Sequence, residues 1–304
     1  MTRRRSLGPI LVLLTTSVLA ACRTVPPIVP FEAGTALAVD DAGVRQVLDA
    51  YLEISAGRAG LRGSARVALK GPDYRLDRPQ RIAVERPARL RFEVVGLFDQ
   101  LAAILATDGR RFDFFDASTG QVTRGPVTPT LLWDLTKIDL RPDEVVEVLL
   151  GSPEPTPGYV RAAAWRAPDG HLALAFAAAD LGRDGSCAAD PRQALVDTDC
   201  ALEPGAGARR LAEEGGELFV FDRAGRLVEM RALEPDGVIR YRALFEEYSP
   251  LAEGDAPDFP KRITIRSPAV KAEARFAWKR VRLAASLSDR LFSLPEPRGA
   301  RLGG

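Results

Sequence analysis

The sequence predicts a mainly β protein built from meandering antiparallel hairpins with a few helices. Short runs in which apolar and polar residues alternate recur along the chain, each bounded by Pro, Gly or Asp. Asp-Gly pairs at 169–170 and 236–237 supply the turn chemistry of tight hairpins. Helical spacing of apolar residues is confined to a stretch after Asp40 and to an interruption in mid-chain, 129–151.

Residues 1–21 read as an export signal. Thr2-Arg3-Arg4-Arg5 is a positive start, Ile10 to Leu19 is mostly apolar, and Leu19-Ala20-Ala21 places small residues before Cys22. The apolar run is about a dozen residues, short of the roughly 20 that a membrane-spanning helix needs. Residues 22–40, with Pro26-Pro27 and Pro30, read as an extended tether. One folded domain is then expected over 41–297, in preference to two smaller ones, followed by a tail at 298–304.

The domain opens on a helix. Val44, Val47, Leu48, Tyr51, Leu52 and Ile54 recur mostly every three or four residues, Asp40 or Asp41 can cap the start, and Gly57 and Gly60 end it. Strands are expected from Gly63 to Leu69, then at 80–85, 89–95, 101–107, 111–115 and 122–125. In the interruption, Leu131, Leu132, Trp133 and Leu135 precede Pro142 to Leu150. Proline near the first turn, acids after it and Gly151 beyond the last leucine are helix start and stop signals, so an apolar helical plug is expected. Later strands fall at 159–165, 172–177, 217–221, 227–233, 238–248, 260–266 and 271–281, and the Ala/Gly/Pro-rich stretch 203–209 reads as a surface loop.

Charge and motifs narrow the function classes. Lys and Arg number 42 against 41 Asp and Glu, interleaved along 304 residues, so no basic stripe marks a nucleic-acid surface. His171 is the only histidine and no cysteines stand in CxxC spacing, too few ligands for a zinc site. No GxSxG elbow surrounds a serine and no Gly-rich phosphate loop opens a helix. Carboxylate pairs such as Asp113 with Asp116, or Glu246 with Glu247, read as solvated charges, and the chain reads as a non-enzyme without cofactor. In an exported protein Cys187 and Cys200 are expected to form a disulfide, stabilising by roughly 3 kcal/mol, the alternative being two thiols.

Leu19-Ala20-Ala21-Cys22 resembles the bacterial lipobox, which implies acyl groups on Cys22 and a stable membrane anchor. Arg23, where an aspartate would retain such proteins at the inner membrane, implies the outer membrane, facing the periplasm. The remaining chain resembles the lipoprotein-localisation family of LolA/LolB-like proteins over roughly residues 45–297. The resemblance rests on Leu61-Arg62-Gly63-Ser64-Ala65-Arg66-Val67, Pro87 to Glu93, Asp108-Gly109-Arg110-Arg111-Phe112, Val148-Leu149-Leu150-Gly151-Ser152-Pro153 and Leu291-Phe292-Ser293-Leu294-Pro295.

That resemblance implies an incomplete, half-open antiparallel β-barrel with helices at its mouth, enclosing an apolar cavity for acyl chains of other lipoproteins. The implied lining is Phe92, Val94, Leu101, Ile104, Phe112, Phe114, Leu131, Leu132, Trp133, Val146, Leu149 and Leu150. Leu97 and Phe98, in a connection that would normally be polar, match an exposed apolar membrane-insertion loop of the family. Partners so implied are the membrane, a periplasmic LolA-like carrier and lipoprotein cargo, exchanged by affinity without nucleotide. The competing reading is a structural or assembly lipoprotein with a filled core whose surface binds an envelope complex. The length of the chain and its Cys187–Cys200 insertion depart from the plain receptor pattern and keep that reading open.

Overall fold

The computed structural model describes residues 34–136, 139–179, 190–251 and 257–295. In chain order these form β1 (Thr35–Ala36), α1 (Ala42–Ala56), β2 (Gly60–Lys70), β3 (Arg75–Glu85), β4 (Arg89–Val95), β5 (Leu101–Thr107), β6 (Arg111–Asp116) and β7 (Gln121–Pro126). Two helices follow, α2 (Leu131–Thr136) and α3 (Pro142–Leu149), and then β8 (Tyr159–Arg166) and β9 (Leu172–Ala178). The chain continues through α4 (Pro191–Val196), α5 (Pro204–Glu214), β10 (Gly216–Phe221), β11 (Leu227–Leu233), β12 (Ile239–Ser249), β13 (Phe259–Ser267) and β14 (Ala272–Ala284).

All of these strands join one antiparallel sheet in the order β1-β8-β9-β10-β11-β12-β13-β14-β2-β3-β4-β5-β6-β7. Strands consecutive in sequence are neighbours in space. The main exceptions are β14, which returns to pair with β2 from Ala284 opposite Gly60 to Glu273 opposite Lys70, and the α2–α3 segment that separates β7 from β8. The sheet is open: β7 forms one edge, and its Arg124 and terminal Pro126 suit a strand that must not recruit another. The fold class is the one the sequence predicts, mainly antiparallel β with few helices.

A single apolar cluster unites α1, α3 and the inner face of the sheet from β2 to β5 and from β9 to β14. Asp41 caps α1 by accepting a 2.9 Å hydrogen bond from the Val44 N–H, and Val44, Leu48, Tyr51 and Leu52 point the buried stripe inward. In α3, Pro142 occupies the first turn and the Arg141 N–H donates to Glu144 Oε2 at 2.8 Å. Tyr51 meets the edges of Phe219 and Phe221 at 6.2 and 5.0 Å, and Phe176 meets Phe219 at 5.4 Å, so aromatic rings fill this part of the interior.

Two expectations are corrected, and one feature is new. The stretch 203–209 is not a surface loop: it begins α5, which covers a second apolar cluster on the outer face of β8–β10. The strand Leu172-Ala173-Leu174-Ala175-Phe176-Ala177 shows why, since Leu172, Leu174 and Phe176 face the main core while Ala173, Ala175 and Ala177 leave room outside for a helix. Gly207 is needed at that contact, where a Cβ would stand 1.9 Å from the Ala162 carbonyl oxygen. The tether expected to reach residue 40 ends earlier, because Thr35–Ala36 pair with Arg166 and Trp165 on β8. Finally, 285–295 bind back across the outer face of the sheet. Arg91 Nη1 donates to the Leu291 carbonyl at 3.0 Å, the Leu294 N–H donates to Asp113 Oδ2 at 2.6 Å, and the Arg89 guanidinium lies 4.3 Å from the centre of the Phe292 ring. The predicted signal, Cys22 and Cys187 lie outside the described residues, as does the tail from 298.

Glu217 on β10 is buried on the inner face and accepts hydrogen bonds from the Thr156 N–H and hydroxyl at 2.9 and 2.7 Å. Burial outweighs those bonds and pushes its pKa up to about 7. The folded protein therefore holds a proton that the unfolded chain releases near its ordinary value of 4.5, and stability falls as pH rises from about 4.5 to about 7. Glu217→Gln, which stays neutral, is expected to flatten that decline in urea midpoint between pH 5 and 7.5. An unchanged slope would contradict the assignment.

Candidate functional site

The inner face of the half-barrel is not uniform. Over most of its width it is filled by α1 and α3, and Val146, Leu149 and Leu150, expected to line a cavity, are each 0 % exposed inside the solid core. This corrects the expectation for those three residues: they pack against sheet residues and hold α3 in place.

The β4–β7 flank differs. Phe92 and Val94 follow Leu90 on the inner face of β4, and cross-strand pairing places Leu105 and then Phe114 beside Phe92. Phe112 lies opposite Gly125 on the edge strand, where a Cβ would come within 2.8 Å of its ring, so the glycine lets the ring lie across the edge. Phe92, Phe112 and Phe114 pack against the rim of the core but remain half-buried, as do Val94 and Leu101. Leu131 and Leu132 on α2 are buried and Trp133 is half-buried. Ile104 is an exception among the predicted lining residues. It pairs with Glu93 and Phe115, one residue out of phase with Leu105, and so faces the outer side. Leu101 pairs with Val95 beyond a register shift, out of phase with Val94, so it too is not placed beside Phe92 on the inner face.

Between β4 and β5, Phe98 is 92 % exposed and is held there by backbone conformation. Phe98 and Asp99 both adopt left-handed geometry, with φ of 58° and 61°, which costs an ordinary side chain on the order of 1 kcal/mol each. Asp99 accepts two hydrogen bonds from Arg81 Nη2, at 3.1 and 3.0 Å, which tie the loop to β3. The side chain of Leu97 is outside those described. His171 stands beside Asp169, with 2.7 Å between Nδ1 and Oδ2, remote in sequence from this flank. Among the described residues no group of three His, Cys, Asp or Glu is placed to hold a metal.

Sequence reasoning passed over two arginines that join the helix ends to the sheet. Arg86 donates to both Glu147 oxygens at 2.7 and 2.8 Å, to the Ser55 carbonyl at 2.7 Å and to the Ser152 carbonyl at 3.1 Å. Arg58 donates to the Gly151 and Asp258 carbonyls at 3.0 and 2.7 Å. Between them they gather the C-terminal ends of α1 and α3. The available signal was position: each arginine adjoins the end of a predicted apolar element, Arg58 after Gly57 and Arg86 after Glu85.

No family model and no curated relative matches the sequence. Among solved structures, the fold is similar to a LolA superfamily protein from Nitrosomonas europaea, with 12% identity and a TM-score of 0.48 over 82% of this chain and 97% of that one. It is also similar to a putative outer membrane lipoprotein-sorting protein domain from Vibrio parahaemolyticus, with 9% identity and a TM-score of 0.47 over 82% and 95% of the two chains. A DUF1329 family protein from Desulfovibrio piger gives 10% identity and 0.47 over 82% and 97%.

Removing one partner of a fully buried ion pair costs roughly 3–5 kcal/mol, and the exposures of Arg86 and Glu147, 19% and 23%, reduce that to about 2–3 kcal/mol. Arg86→Met is expected to lower unfolding free energy by that amount in urea titration, and adding Glu147→Leu to recover more than half. A loss under about 0.5 kcal/mol would contradict the role given to the pair.

Proposed function

We propose that this chain is a lipid-anchored outer-membrane protein, facing the periplasm, that shelters acyl chains of lipoproteins or a related amphiphile on the open β4–β7 flank. The observation that carries the reading is the half-buried set Phe92, Val94, Phe112 and Phe114 on the inner face of an otherwise filled half-barrel. Four adjoining apolar side chains left partly in water form the kind of patch that marks a binding surface. Each methylene that an acyl chain buries against them contributes about 0.8 kcal/mol. The lipobox-like Leu19-Ala20-Ala21-Cys22 supports anchoring through Cys22, and the half-barrel architecture suits the resemblance read from the sequence.

Transfer on this reading needs no nucleotide. Cargo passes from a soluble carrier to a flank that holds its chains slightly better, and Phe98, projected on a strained loop, enters the bilayer surface as the cargo leaves. The same strain favours a functional role for Phe98, since a glycine at that position would avoid it. The solid part of the interior favours the filled-core assembly reading there, and it limits the acyl site to the flank. A disulfide between Cys187 and Cys200 remains part of the proposal.

Two variants separate binding from delivery. Phe112→Glu is expected to weaken binding of a triacylated lipopeptide by at least tenfold, measured by fluorescence titration. Phe98→Gly is expected to leave that affinity and the melting temperature unchanged or the latter slightly raised, while slowing lipopeptide transfer to vesicles several-fold. Equal binding by Phe112→Glu and the parent chain would overturn the flank as the acyl site.

A further inference from the structure

A second concave surface lies away from the flank. Beside its buried stripe, α1 presents Val47, Ala50 and Ile54, which with Leu227, Tyr248 and Pro257 wall a groove of 640 Å³. That volume is in the range of sites for small organic ligands, about 300–1,000 Å³. Four arginines line it as well, Arg58, Arg166, Arg223 and Arg226, the last paired with Asp222 at 2.7 Å, against one lining carboxylate, Asp258.

Arg58 is the unusual member. It is 3% exposed, and its acceptors among the described residues are the neutral carbonyls of Leu150, Gly151 and Asp258, with no carboxylate hydrogen-bonded to it. Burial lowers its pKa, although the tyrosines Tyr248 and Tyr51 oppose that shift. The carbonyl end of α3 offsets part of the charge. Its Nε is nevertheless buried without an acceptor among the described residues, and the Oγ of Ser152, which lines the same groove, is buried without a partner there too. Two such buried polar atoms in one wall are exceptions that a native fold rarely keeps without cause. A buried cation lacking a counter-charge is likewise costly until an anion is supplied.

We propose that this groove binds an anionic single-chain amphiphile, its carboxylate or phosphate head received by Arg58 and Ser152 and its chain laid along Val47, Ala50 and Ile54. Charge and shape agree: donors occupy the wall, cations surround the mouth, and an apolar strip runs along the helix. The site is separate from the β4–β7 flank and does not depend on the reading given to that flank.

The test uses the purified full chain and cis-parinaric acid as a fluorescent probe, with its methyl ester as the neutral control. The acid is expected to bind at least tenfold more tightly than the ester. Arg58→Met and Ala50→Trp are each expected to weaken the acid at least tenfold, and Phe112→Glu to leave it unchanged. Should Arg58→Met fail to fold by circular dichroism, Ala50→Trp carries the test, because position 50 is exposed on the helix. Competition with oleate and with lysophosphatidylglycerol then identifies the head group, displacement by either one supporting the site. Equal binding of acid and ester, indifference to Ala50→Trp, or loss caused by Phe112→Glu instead would overturn the proposal.

Discussion

The anchoring of two helix ends by Arg58 and Arg86 is the constraint on which the rest of the architecture depends. An open sheet leaves its inner face to be covered by something, and here α1 and α3 cover it only because their C-terminal carbonyls are drawn together at one lip of the sheet. Arg86 supplies a bidentate ion pair to Glu147 and also bonds the Ser55 carbonyl, so one guanidinium joins β3's end to both helices. The Ser55 hydroxyl adds a 2.7 Å bond to the Ser152 carbonyl, and the Tyr51 hydroxyl donates to the Pro153 carbonyl at 2.5 Å. At its other end α3 is held by Arg240, whose Nη1 donates to Glu144 Oε2 at 3.0 Å. With both ends fixed, α3 lies inside the half-barrel and packs against β3 and β4.

The interior divides into a solid part, where α1 and α3 share one core with the sheet, and a half-buried rim at Phe92, Phe112 and Phe114. Large rings, Phe176, Phe219, Phe221 and Phe259, are wholly buried in the solid part. Phe92, Phe112 and Phe114 are half-buried at the core rim, where Phe92 meets the Phe276 ring at 6.4 Å. The outer face follows a different logic: β8–β10 are covered by α5 and β3–β6 by 285–295. Strands β8–β10 are therefore covered on both faces, whereas the β4–β6 flank is covered outside and half-open within.

The strands were legible because alternation against water is a local property. Arg89–Val95, Leu101–Thr107 and Leu227–Leu233 have the boundaries expected from their pattern. Helix α5 was illegible for an equally local reason, since Pro204, Gly205 and Gly207 depress helix propensity, and only the close approach to Ala162 explains the glycine. Within the site, apolar character predicted burial but not what did the burying: Val146, Leu149 and Leu150 look like Phe112 and Phe114 in sequence and differ only in how α3 is anchored. Arg58 and Ser152 carried no motif at all. Their interest arises from acceptors contributed by residues as distant in sequence as Asp258.

The central claim is that the open flank holds an acyl chain. Native mass spectrometry of the chain as purified, with organic extraction of whatever accompanies it, tests this most directly when run beside Phe114→Glu. The parent chain is expected to carry an added mass that extracts as an acylated molecule, depleted in the variant. A bare mass in both, persisting after incubation with a triacylated lipopeptide, would contradict it and leave a filled-core lipoprotein that acts through its surface.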